Sequence, residues 1–324
     1  MSNPFTDQRA LAAGEAFADL STRDVVVVTG PDRLSWLDSL TSQRLTGLAP
    51  GSSAETLLLD PSGRIEYAAR VVDDGETAWL LMDAGTGAGF AAFLQRMRFL
   101  LRVEVADRSA DFATVGGFGL APGDAVVTWR DPWASVVAGG WQYAPDEPAT
   151  VAGWDWTESL VPRERIPDGL VPEDAVEALR IAARRPRAAT ELDATTIPHE
   201  LDWLRSAVHL AKGCYRGQET VAKVHNLGHP PRRLVLLHLD GSEGGLPAHD
   251  DEVLLGDKTV GRVTAAARHH ELGPIALAVV KRATDPAADL VVRTADGDVA
   301  AVQEVIVPVD AGATADVPRL ARIR

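Results

Sequence analysis

The sequence predicts an α+β protein that ends in a small antiparallel β-barrel. Three observations predict it. Strand-type and helix-type periodicities are interleaved through the first part of the chain, Pro230-Pro231 marks a linker, and six short apolar segments recur beyond it, separated by Gly and Asp turns. With 324 residues, 46% of them hydrophobic and 24% charged, the chain is in the globular range and can bury a sizeable core without covalent staples.

Residues 10–20 read as a short amphipathic helix. Asp24–Thr29 is a β-branched run closed by Gly30-Pro31, a buried strand and its turn. A helix is expected over 33–43, with Leu34, Leu37 and Leu40 on one side. Residues 56–59 and 65–72 form a hairpin about the turn Asp60-Pro61-Ser62-Gly63, and 77–82 is a further strand. The spacing of Phe90, Phe93, Leu94, Met97 and Leu101 predicts a helix over 90–101 with those side chains in the core.

Strands are expected at 103–105 and 114–120, then at 125–129 and 134–138 within an irregular, Trp-rich stretch. Pro172, Glu173 and Asp174 suit the first turn of a helix that runs to about Arg185 and is stopped by Pro186. A last helix covers 218–226 and ends near Gly228. The barrel strands fall at 234–239, 252–255, 258–264, 275–280, 290–294 and 302–307. The expected domains are 1–230, 231–310 and a loosely ordered tail, 311–324.

The net charge of −14 argues against direct nucleic-acid binding, which is driven by counterion release to a basic surface. No apolar run approaches membrane-spanning length and no signal segment opens the chain, so a cytoplasmic monomer with no membrane contact is expected. The single cysteine, Cys214, excludes an internal disulfide and a full ligand set for the chain's own iron–sulfur cluster. The histidines offer no convergent zinc set, so no metal site is expected.

Three segments carry a family resemblance. Residues 28–37, with Thr41-Ser42-Gln43, are similar to the opening of the GcvT-like folate-binding superfamily, and Val260-Gly261-Arg262-Val263-Thr264 through Ala278 is similar to its C-terminal domain. Ile197-Pro198-His199-Glu200 and Lys212-Gly213-Cys214-Tyr215-Arg216-Gly217-Gln218-Glu219 resemble the signature of its YgfZ branch. The resemblance implies two interlocked α+β domains and a barrel around a central cavity that holds a tetrahydrofolate.

It also separates two activities. Aminomethyltransferases of the superfamily carry an acidic pair after a turn that here is 60–64, and the matching positions are Tyr67 and Ala68. Glu66 is adjacent, but strand alternation points it to the other face. Leu179-Arg180-Ile181 keeps the Arg of a further superfamily segment, while its acid is replaced by Ala182.

The candidate residues follow. A lone cysteine is commonly a small buried hydrophobe. Cys214, however, lies between Gly213 and Gly217 just before a helix N-terminus, where the dipole with Lys212 and Arg216 would favour thiolate. It is the candidate catalytic group. Arg180, His199, Lys212, Tyr215, Arg216, Gln218 and Glu219 are the candidate folate-binding residues, with Arg180 expected to grip a glutamate tail through paired donors. The function implied is a folate-dependent accessory factor in assembly or repair of iron–sulfur clusters, with client enzymes or assembly proteins as partners and an indirect role in tRNA modification. The alternatives are a tetrahydrofolate-dependent aminomethyl (one-carbon) transferase and a scaffold that keeps the pocket as a relic.

Overall fold

Asn3 and Pro4 start the first helix: the Asn3 side chain accepts the Phe5 amide at 3.0 Å, and Pro4 takes a first-turn position that needs no donor. A computed structural model of the chain describes residues 3–145, 149–241 and 245–315. In chain order its strands are β1 (Ala18–Leu20), β2 (Asp24–Thr29), β3 (Ser53–Leu59), β4 (Ile65–Asp73), β5 (Thr77–Met82), β6 (Glu104–Asp107), β7 (Phe112–Phe118), β8 (Val127–Arg130), β9 (Trp156–Pro162), β10 (Arg232–Leu239), β11 (Glu252–Leu255), β12 (Lys258–His269), β13 (Gly273–Lys281), β14 (Asp289–Thr294) and β15 (Gly297–Val305). The helices are α1 (Pro4–Ala12), α2 (Arg33–Leu40), α3 (Gly87–Met97), α4 (Ala149–Ala152), α5 (Glu173–Ala182), α6 (Ala188–Glu191), α7 (Leu204–Ala207) and α8 (Gln218–Leu227).

The strands form three antiparallel systems: a five-stranded sheet β3-β4-β5-β2-β6, a four-stranded sheet β1-β7-β9-β8, and a closed barrel β10-β13-β12-β11-β14-β15. Strand β1 precedes the whole five-stranded sheet in sequence yet pairs with β7 beyond it, with Ala18 opposite Gly116. That pairing interlocks the two sheets. The valine run of β2 explains how the larger sheet sits. Val25 and Val27 enter one apolar core while Val26 and Val28 enter another, so the strand is buried on both faces.

The expected α+β fold with a C-terminal antiparallel barrel is what the chain adopts. Several elements differ. The helix expected over 10–20 lies earlier, because Gly14 at φ +71 ends it and Ala18–Leu20 is a strand. Helix α2 stops at Leu40, short of Gln43. Helix α3 stops at Met97, and Leu101 is not in the core but exposed. The segment 134–138 is not a strand; it follows a single 3₁₀ turn at Pro132–Ala134.

Strand β9 was not expected at all. Its centre reads Thr157-Glu158-Ser159, polar residues that are nevertheless 1–2% exposed. The expected tail is docked over its first residues. Ala311 is buried, Thr314 donates to His225 O, and Ala315 donates to Asn226 O, which satisfies carbonyls left open at the end of α8. Residues 316–324 of that tail lie outside the described residues. Among the described residues no helix is long and apolar enough to cross a membrane.

Candidate functional site

The loop from Lys212 to Gly217 is pinned from inside. Lys212 Nζ donates to the backbone carbonyls of Asp38, Thr41 and Gln43, the last two at 2.8 Å, and lies 3.3 Å from the Asp38 carboxylate. These carbonyls sit where α2 ends, so the lysine caps that helix end. Burial pulls the Lys212 ammonium below its ordinary value, and the Asp38 carboxylate opposes that shift. Tyr215 is buried with its ring 5.2 Å from Nζ, and Gln218 Nε2 donates to Lys212 O at 3.3 Å.

Gly217 is required by the packing. It has φ +84, and a Cβ there would come within 2.6 Å of Asp60 O. Gly63 is its counterpart: a Cβ at that position would meet Thr220 Cβ at 2.9 Å. The turn 60–63 and the start of α8 therefore interlock. Gly213 has open space around it, so close approach is not its role.

Cys214 is exposed. The cations expected beside it are engaged elsewhere, Lys212 with α2 and Arg216 with Glu66 at 2.7 Å. Replacing Lys212 with Met leaves three carbonyls without this donor and is expected to cost about 2 kcal/mol. Urea unfolding checks it; an unchanged midpoint would show that the loop is held by other contacts.

Arg216 leads to the site. It lies over the Phe93 ring at 5.9 Å and, with Glu66, Tyr67, Phe93 and Arg96, lines a groove of about 500 Å³. A second cavity of about 290 Å³ shares Glu66 and Tyr67 as a common wall and continues past Ala68, Asp83, Ala188 and Asp193. Arg96 has no ion-pair partner among the described residues.

Tyr67 and Ala68, where the resemblance would place an acidic pair, thus face this trough. Glu66 faces it too, which corrects the expectation from strand alternation. Leu58 pairs with Tyr67 and Leu59 with Ile65, leaving Glu66 unmatched in a β-bulge. A bulge turns two consecutive side chains toward the same side.

The other candidate residues do not converge on the trough. Arg180 is 4% exposed, donates to Glu177 and Arg185 O, and bonds Glu191 at 3.0 Å. It belongs to a buried ionic centre in which Arg23 and Arg70 meet Glu158, Arg70 meets Asp83, and Arg185 meets Glu55 and Asp131. Burial alone would raise the Asp83 carboxyl, but Arg70, with Arg23 and Arg187, holds it well below its usual range. The cavity left in this centre is about 20 Å³. That is room for one water, not for a pterin.

His199 is fully buried. Its Nε2 bonds Val221 O at 3.0 Å, Nδ1 has no partner among the described residues, and burial lowers the imidazole to about 4. Glu219 is exposed in the first turn of α8, where an acid suits the helix dipole. Arg96 is the trough cation that sequence reading missed. Its only signal is its position one turn after Phe93.

A fold of this kind defines a class, and comparisons with known proteins agree on it. Residues 232–309 match the glycine cleavage T-protein C-terminal barrel domain. The crystal structure of glycine cleavage system aminomethyltransferase T from Bartonella henselae superposes with a TM-score of 0.71 at 16% identity, covering 95% of this chain and 89% of that one. The fold is therefore GcvT-like.

Two relatives carry the comparison further. An aminomethyltransferase of Rippkaea orientalis is 28% identical over 310 residues, 85% of this chain and 81% of the relative. A mitochondrial iron–sulfur cluster assembly factor IBA57 homolog of Mycosarcoma maydis is 26% identical over 259 residues, 72% of this chain. The match spans 60% of the latter's own length. Together these similarities agree in pointing to GcvT-like proteins.

Proposed function

We propose that this chain is a folate-binding accessory protein for the assembly or repair of iron–sulfur clusters in particular enzymes, and that it supports tRNA modification indirectly through them. One observation carries the reading. The only thiol in the chain is exposed on the loop whose Arg216 lines the trough, while the position at which an aminomethyltransferase keeps its acid is occupied by Tyr67. The similarity to the IBA57 homolog supports the same direction, and to YgfZ the signature loop itself.

The trough suits a folate in volume and in donor set. Its groove is within the roughly 300–1,000 Å³ of small-molecule sites. Tyr67 and Phe93 offer aromatic faces, and Arg96 and Arg216 offer donors for the carboxylates of a glutamate tail. Lys212, Tyr215 and Gln218 fix the loop that carries Arg216; Arg180 and His199 contribute to the framework. Bound there, a tetrahydrofolate would supply a one-carbon carrier.

Cys214 has no second cysteine in its chain, so any bond it makes to cluster iron or sulfur is completed by a client or a small molecule. A single cysteine suits the cytoplasm, where the protein is proposed to act as a monomer with a folate module over 1–230 and a barrel over 231–310.

Tetrahydrofolate titration followed by tryptophan fluorescence tests the ligand. A saturable change is expected, weakened about tenfold when Arg96 and Arg216 are both replaced by Ala. Cluster-enzyme activity in a deletion strain tests the role: the native chain restores it and Cys214→Ala does not. A chain that restores activity equally well without the thiol would end this reading.

The bulge at Glu66 favours a second reading, a tetrahydrofolate-dependent aminomethyl transferase. It puts a carboxylate beside Tyr67 on the trough wall, where general acid–base chemistry would need a titratable group. Turnover of a methylamine donor that disappears in Glu66→Gln would favour this reading over the first.

A further inference from the structure

The segment after α3 runs Arg96-Met97-Arg98-Phe99-Leu100-Leu101-Arg102 and stands clear of the body. Phe99 and Leu100 are 83% and 88% exposed, and Met97 and Leu101 are exposed beside them. Scattered apolar side chains on a surface are ordinary; four consecutive in space at one tip are not. Leu100 has φ +53, a left-handed conformation unusual for leucine. Arg96 and Arg98 are exposed and have no ion-pair partner among the described residues, while Arg102 is tied to Asp32 at 2.9 Å. On a chain of net charge −14, this is a local basic and apolar projection.

We infer that this tip docks a protein partner that presents an apolar pocket rimmed by Asp and Glu. Charge complementarity selects the occupant: the unpaired arginines need carboxylates, and Phe99 and Leu100 need a pocket to leave water. An anionic bilayer would meet the repulsion of the rest of the chain, and two inserted side chains alone give it little hold. The tip is continuous with the candidate site, because Phe93 and Arg96 also line the groove. A partner seated on it covers the groove mouth and meets the loop that bears Arg216 and Cys214. The inference rests on the accessory-protein reading, for which it names the docking surface and the chemistry of the client.

The test uses the full chain with a photo-crosslinking residue at position 99, expressed in its host cells. The expected result is one cross-linked protein, joined through a segment with Asp or Glu beside apolar residues. Purified, that protein binds the native chain, and binding weakens about tenfold or more in Phe99→Asp/Leu100→Asp. It also weakens as salt rises from about 0.05 to about 0.5 M. The double variant retains its thermal midpoint and its tetrahydrofolate titration, so failure at the tip is distinguished from failure of the folate reading.

Four results would overturn the inference. They are cross-links only to lipid with co-sedimentation on phosphatidylglycerol vesicles, a dimer in sedimentation velocity that the double variant abolishes, a cross-linked protein whose affinity ignores the variant, or no cross-link at all.

Discussion

Arg185→Met is expected to cost about 4 kcal/mol of folding stability, a large part of the roughly 5–15 kcal/mol available to a domain. Arg185 is 4% exposed and joins pieces of the chain that are distant in sequence. Its guanidinium bonds Glu55 on β3 and, at 2.9 Å, Asp131 after β8, and it lies 5.3 and 5.7 Å from the rings of Trp133 and Trp203. Burial by itself would lower this guanidinium, but Asp131 and Glu55 raise it above its ordinary value.

Methionine fills most of the volume and leaves two carboxylates buried without their cation. The loss is therefore that of a broken pair, not that of a missing side chain. Urea unfolding measures it. Adding Glu55→Gln to Arg185→Met is expected to recover part of the loss, because one of the two uncompensated charges is then removed. If the single variant unfolds at the native midpoint, the ionic centre is not what ties the two sheets together.

The second large effect is with pH. Burial lowers the His199 imidazole from 6.5 to about 4. Below pH 6.5 the unfolded chain takes up a proton that the folded chain refuses until about pH 4, so stability falls as pH falls through that window. It is fully present above the window. A shift from 6.5 to about 4 corresponds to about 3 kcal/mol. Burial also lowers His209, His225 and His269, which add loss of the same sign.

Carboxylates held low by arginines, such as Asp83 and Asp193, keep their contribution through this range and lose it only at lower pH. Denaturant midpoints at about pH 7.5, 5.5 and 4.5 check the slope, and His199→Leu should flatten it. A level profile over the same range would sink the assignment.

Much of the fold was legible in the sequence because its signals are local. The four valines of β2, the turn at 60–63, Pro172 with its acids and the spaced strands beyond Pro230-Pro231 each report the backbone conformation they need. Strand β9 was not legible, since Glu158 reads as a surface residue until Arg23, from the turn before β2, and Arg70, from β4, arrive to neutralise it. The end of α3 misled for a related reason. Met97 and Leu101 have core spacing, but among the described residues no element buries them.

The candidate site divides in the same way. The sequence alone determined that a lone thiol sits in a glycine-bounded loop before a helix, and its resemblance to the superfamily put Tyr67 and Ala68 where an acidic pair is expected. Tertiary structure decided where the charges go. It turned Lys212 onto the end of α2, sent Arg180 into a buried centre, and used a bulge to bring Glu66 beside Tyr67 in the trough lined by Arg96 and Arg216. The physical reason is range. Backbone preferences are set by a few neighbouring residues, whereas a buried charge is placed by whichever opposite charge the fold delivers to it, often from more than a hundred residues away.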